Sequence, residues 1–129
     1  MPARNARKGH NWERVVIKDL KREGYAWAKS SRSSSRRLDN CKIDINDVPF
    51  RIQCKSTPKR PNYQELYRQC NDLISQQYPP EDAEKLKKLP YIVAHKLDQR
   101  KKENSTITVD YDFGMFLLGL YKKYLDGLL

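Results

Sequence analysis

The chain has 129 residues, 38% of them apolar and 33% charged, with 26 Lys and Arg against 16 Asp and Glu for a net charge of +10. This is the size of one domain, and 2 Trp, 8 Tyr and 3 Phe are more aromatics than a disordered chain carries. No run approaches the ~18 uninterrupted apolar residues of a membrane span, and three cysteines (Cys41, Cys54, Cys70) cannot all pair within one chain.

Residues 1–8 are polar and basic and read as a loose arm. A helix is expected from His10 or Asn11, where Trp12, Val16, Ile17 and Leu20 recur at helical spacing and Gly24 is a natural stop. Tyr25–Lys29 reads as a strand. Ser30–Arg37 (SSRSSSRR) reads as a flexible loop whose Arg32, Ser33, Arg36 and Arg37 suit phosphate oxygens. Lys42–Asn46 and Phe50–Lys55 read as short strands, and Asn46–Pro49 as the turn that makes them a hairpin. From Asn62, the apolar series Tyr63, Leu66, Tyr67, Cys70, Leu73 and Ile74 predicts a helix that ends at Tyr78-Pro79-Pro80. A short helix over 81–89, a buried strand over 91–97, a charged loop over 98–105, a strand over 106–110 and a last helix over 113–125 complete the chain. The order describes one mixed α/β domain over residues 1–129, a central sheet flanked by helices.

The charge is one-sided. Residues 1–60 hold 16 Lys and Arg against 6 Asp and Glu, and residues 61–129 hold 10 of each. A surplus confined to one half attracts a polyanion through phosphate contacts and counterion release. His10 and His95 lie at no finger-like spacing with a cysteine, which speaks against a structural zinc. No basic-then-apolar leader opens the chain, so free thiols in the cytoplasm of a bacterial or archaeal cell, or a phage-encoded protein there, are expected.

Period-two alternation puts Phe50, Ile52 and Cys54 on one face of their strand and Arg51, Gln53 and Lys55 on the other. In a hairpin, Asp44 can lie opposite Gln53. Glu13 sits at the edge of the first helix's apolar stripe, where a charge is costly without a partner. Singly, each has a plain structural role: Asp44 as a turn carboxylate, Glu13 paired with a helix Lys, Gln53 and Lys55 as a solvated strand face. Together, Glu13, Asp44, Gln53 and Lys55 form an oxygen-rich group suited to Mg²⁺ or Mn²⁺, with an ammonium to steady charge on a phosphate.

At these residues the sequence resembles the PD-(D/E)XK nuclease superfamily, and within it the archaeal-type Holliday-junction resolvases. Arg7-Lys8-Gly9, three residues and then Glu13-Arg14 match the family's opening. Gly24-Tyr25 matches a helix end, the segment to Arg37 a strand and basic serine loop, Ile43-Asp44-Ile45 the strand aspartate, and Gln53-Cys54-Lys55 the acidic-X-Lys element. The resemblance implies a restriction-endonuclease-like core. It implies metal held by Asp44, Gln53, the Cys54 backbone carbonyl and Glu13, with Lys55 as the catalytic lysine. It also places Arg14 and Lys29 near the scissile phosphate and Ser30 with its following loop against DNA; Arg7, Lys8, Lys59 and Arg60 complete the basic surface. A homodimer nicking a four-way junction symmetrically is implied; the apolar final helix offers surface either for it or for packing into the core.

Two departures stand out. The family acid is Gln53 here, which removes one negative charge from the site. Asp39 is a second candidate for the metal aspartate, 14 residues before Gln53 against 9 for Asp44; the strand-like neighbours of Asp44 favour it. A nuclease for flaps or duplex, and a DNA-binding module that does not cut, are the alternatives.

Overall fold

The computed structural model describes residues 2–97 and 104–127, with side chains from residue 7 onward. Helix α1 spans Pro2–Arg22, β1 Lys29–Ser30, α2 Ser31–Ser34, α3 Arg36–Asn40, β2 Ile45–Asn46 and β3 Arg51–Ser56. Then come α4 (Tyr63–Gln77), α5 (Pro80–Lys87), β4 (Tyr91–Lys96), β5 (Ser105–Thr108) and α6 (Tyr111–Leu125). The chain is thus an α/β protein with a mixed three-stranded sheet flanked by helices.

In that sheet β3 lies parallel to β4, with Arg51 opposite Tyr91 and Lys55 opposite His95. β5 is antiparallel to β4, with Ala94 opposite Ile107. The strand alternation divides the core in two. On one face Ile52, Ile92 and Ala94 pack against Trp12, Val16 and Leu20 of α1. On the other, Tyr91 and Val93 pack with Ile43, Cys70 and Ile74, against α4 and α5. Trp12 is fixed further by its indole Nε1, which donates to Ala94 O at 2.9 Å. The cysteines Cys41, Cys54 and Cys70 are free thiols. Among the described residues no helix is long and apolar enough to cross a membrane.

Five expectations need correction. α1 begins at Pro2, so the segment read as a loose arm is helical beyond Met1, which lies outside the described residues. Tyr25–Lys29 is not a strand. Gly24, with φ of +106°, turns the chain out of α1, Ala28 N bonds back to Tyr25 O at 3.2 Å, and strand pairing starts only at Lys29. Ser30–Arg37 is not a loop but two short helices. The hydroxyls of Ser33 and Ser34 both donate to Ser30 O, and Ser35 caps α3 by accepting from Leu38 N. Serine at such positions satisfies helix-end backbone groups, so its abundance marks caps as readily as flexibility.

The expected hairpin is also replaced. β2 pairs antiparallel with β1, Lys29 facing Asn46, rather than with β3. Asp47, with φ of +61°, bends the chain away before it reaches β3. Last, the strand expected over Lys42–Asn46 covers only Ile45–Asn46, so Asp44 lies just before it; the expected charged loop falls mostly outside the described residues.

Candidate active site

Asp44 stands where the two sheets meet. Its backbone N donates to Ile52 O of β3 at 2.8 Å, and its carbonyl accepts from Ser31 N, next after β1, at 2.9 Å. Its carboxylate Oδ2 accepts from Cys54 N at 2.7 Å. The bonds to residues 52 and 54 bracket Gln53, so Asp44 lies alongside Gln53 although no hairpin joins them. Among the described residues no hydrogen bond or ion pair engages its other oxygen, Oδ1.

Burial pushes Asp44 up to about 6, and the Asp39 carboxylate adds to this; the Cys54 amide, Lys55 and Lys42 pull the other way. Glu13 is only 8% exposed on α1. Burial pushes it up to about 7, with Asp44 and Asp39 raising it and Arg32 lowering it. Asp44, Asp39 and Arg32 therefore act on Glu13 through space, and Asp39, Lys55 and Lys42 act on Asp44. Asp39 is a half-buried neighbour on α3 whose backbone N is tied to Ser35 O. Among the described residues no three His, Cys, Asp or Glu side chains converge as a ligating group. The oxygen donors nearby are the Asp44 and Glu13 carboxylates, which burial above all keeps above the usual carboxylate range, and the Gln53 amide on the strand beside Asp44. That donor chemistry fits a hard divalent ion.

Gln53 is 4% exposed, and its Oε1 accepts from the Tyr91 hydroxyl at 2.7 Å. Tyr91 is in turn held by Arg51, whose guanidinium lies 5.4 Å from its ring and 5.6 Å from that of Tyr67. Arg51 is buried and donates to Leu89 O, Lys87 O and Asn71 Oδ1. A chain of contacts thus runs from the end of α5 and from α4 to the Gln53 amide. The sequence reading missed it; the only local hint is a charged residue within an otherwise buried strand.

Lys55 is half-buried and shares a cleft of about 350 Å³ with Lys8, Gly9, Cys54 and Ser56–Pro58. The strand end behind it is fastened by His95, whose Nε2 lies 2.9 Å from Thr57 O and 3.0 Å from Thr57 Oγ1.

No family model, curated protein or solved structure matches this chain. The assignment therefore rests on the residues themselves.

The remaining basic candidates fall into two groups. Arg32 lies beside Glu13 by its electrostatic effect, and Lys8 beside Lys55 in the cleft. Arg7, Arg14, Arg36, Lys59 and Arg60 are exposed, Arg14 within 3.5 Å of Asn11 Oδ1. Lys29 is paired with Asp47 at 2.9 Å, and Arg37 lies 5.0 Å from the ring centre of Tyr78. Both are thus partly engaged by the protein. Among the described residues the buried Ser30 and Ser31 hydroxyls meet no hydrogen-bond partner, whereas Ser33 is spent on the Ser30 carbonyl.

Proposed function

We propose that the chain is a metal-dependent, structure-selective DNA endonuclease with a restriction-endonuclease-like core. It resolves four-way junctions by paired phosphodiester nicks, as a homodimer. The observation that carries this reading is the seat of Asp44. Its carboxylate is bonded to the Cys54 amide, alongside Gln53, under the field of Lys55 and next to the buried Glu13. Asp44, Gln53, Lys55 and Glu13 are all positions of the resolvase motif that the sequence resembles, with Gln53 standing where the family has an acid.

Asp44, Gln53, the Cys54 carbonyl and Glu13 would hold Mg²⁺ or Mn²⁺. The ion would supply Lewis acidity to the phosphodiester and acidify a water. The Cys54 amide fixes the Asp44 carboxylate, and the Tyr91 hydroxyl fixes the Gln53 amide. Lys55 presents its ammonium at the cleft, where it can stabilise charge developing on the phosphate. Arg32 and Lys8 bring further positive charge for the strand's phosphates.

The homodimer is supported by α6. None of its residues is buried, and Tyr111, Met115, Phe116, Leu118, Tyr121, Tyr124 and Leu125 are all exposed. Phe113 and Leu117 of the same helix line an apolar groove of about 690 Å³ running to Trp12, Val16 and Ile92. Helix and groove lie on one patch, so two copies related by a twofold axis can each seat α6 on the other.

The test is incubation of a synthetic four-way junction with Mg²⁺. Symmetric nicks that vanish in Asp44→Asn and in Lys55→Ala support the reading, and an intact junction with folded protein under both Mg²⁺ and Mn²⁺ rejects it. Cleavage of flaps or linear duplex in preference to the junction would move the assignment to a repair nuclease with the same site. The engagement of Gln53 Oε1 by Tyr91 favours one other reading, a DNA-binding module that does not cut. Junction binding equal in wild type and Asp44→Asn, without cleavage, would establish it.

A further inference from the structure

The chain has two tryptophans with opposite fates. Trp12 is 5% exposed and hydrogen-bonded in the core, whereas Trp27 is 81% exposed. The backbone carrying Trp27 is nonetheless held on both sides. Ala28 is buried in the α1 core, its amide is bonded to Tyr25 O, and Lys29 is paired both to Asn46 in the sheet and to Asp47 by charge. Tyr25 packs edge-on to Phe50 at 5.1 Å. A large indole is therefore presented to solvent on a fixed support. It borders a cleft of about 550 Å³ lined also by Val48, Pro49 and Phe50, and by Ile43 and Ile45, which flank Asp44.

A flat apolar ring does nothing for folding when it is left in water. The half of the chain that presents it carries the whole positive surplus, +10 over residues 1–60. The occupant must then combine an exposed π face with negative charge. A paired duplex conceals its base faces; a base left unpaired at a strand exchange does not. Aromatic stacking on such a base is strong and tolerant of sequence.

We propose that Trp27 is a stacking platform for an unpaired nucleobase at a branch point, and that it sets the preference for branched over linear DNA. This rests on the endonuclease reading above, whose substrate it specifies. The ring takes the base face while the neighbouring Lys29, once drawn from Asp47, takes a phosphate.

The experiment uses the whole protein with Ca²⁺ in place of Mg²⁺, and a four-way junction carrying 2-aminopurine at the branch point. Binding is compared with that to linear duplex of the same sequence. Wild type is expected to bind the junction more tightly and to change the 2-aminopurine emission. Trp27→Ala should lose roughly ten-fold or more in junction affinity, keep its duplex affinity within about two-fold, and abolish the emission change, while Trp27→Phe retains most of each. An unchanged far-UV spectrum and melting temperature are expected of so exposed a site, and Trp12 emission reports the core independently.

Junction affinity unaltered by Trp27→Ala would overturn the platform and leave the endonuclease reading standing, as would equal loss on junction and duplex. Wild type that binds neither DNA would overturn both.

Discussion

Glu13 carries a prediction with an unusual sign. Its carboxyl is pushed from 4.5 up to about 7, first by burial and then by the charge of Asp44, with Arg32 in partial opposition and Asp39 adding a little. Below about pH 4.5 Glu13 is protonated in both folded and unfolded chains and contributes nothing. As the pH rises the unfolded chain loses its proton first, so stability falls across the window from 4.5 to about 7 and levels off above it. The shift corresponds to about 3 kcal/mol of destabilisation at pH 8.5. Glu13→Gln removes the charge and keeps the shape, so in EDTA the variant should be more stable than wild type by about 2–3 kcal/mol at pH 8.5. The two should be nearly equal at pH 4.5. Urea unfolding at both pH values measures this. A stability difference that is the same at the two pH values would refute the argument, because it would mean that Glu13 ionises in the folded state as it does in water.

Other changes test neighbouring parts of the account. Gln53→Glu keeps an acceptor for the Tyr91 hydroxyl and adds a negative charge beside Asp44; Mn²⁺ affinity by calorimetry should rise about ten-fold. Arg51→Ala strands the Lys87 and Leu89 carbonyls and the Asn71 side chain, and urea unfolding should show a loss of about 3–5 kcal/mol. Leu118→Glu places a charge on the exposed face of α6, and sedimentation should show a dimer for wild type and a monomer for the variant, each with an unchanged far-UV spectrum.

How much of this was legible in the sequence depends on whether the cause was local. Glu13 at the edge of the Trp12–Val16–Leu20 stripe, and the opposite faces of Ile52 and Gln53, follow from helical and strand periods, and the structure has both. Asp44 reaches Gln53 by another route than the one expected: the neighbour of β2 in its sheet is β1, a pairing across residues 29–46 that no turn signal announces. The serine segment is helical rather than a loop because Ser33, Ser34 and Ser35 spend their hydroxyls on backbone groups a few residues away, and composition alone does not separate a cap from a loop. In the Arg51–Tyr91–Gln53 chain the hydrogen-bonded pair Gln53 and Tyr91 are 38 residues apart on neighbouring strands, and the contact depends on the parallel register of β3 and β4. Nothing within either segment foretells it.

The central claim is that Asp44, Gln53 and the Cys54 carbonyl, with Glu13, seat one divalent ion. Crystals soaked in Mn²⁺ and measured at the manganese absorption edge test it most directly. The account predicts one anomalous peak within coordinating distance of Asp44 Oδ1 and Gln53 Oε1, absent in Asp44→Asn. A fully soaked wild-type crystal with no peak there would contradict it.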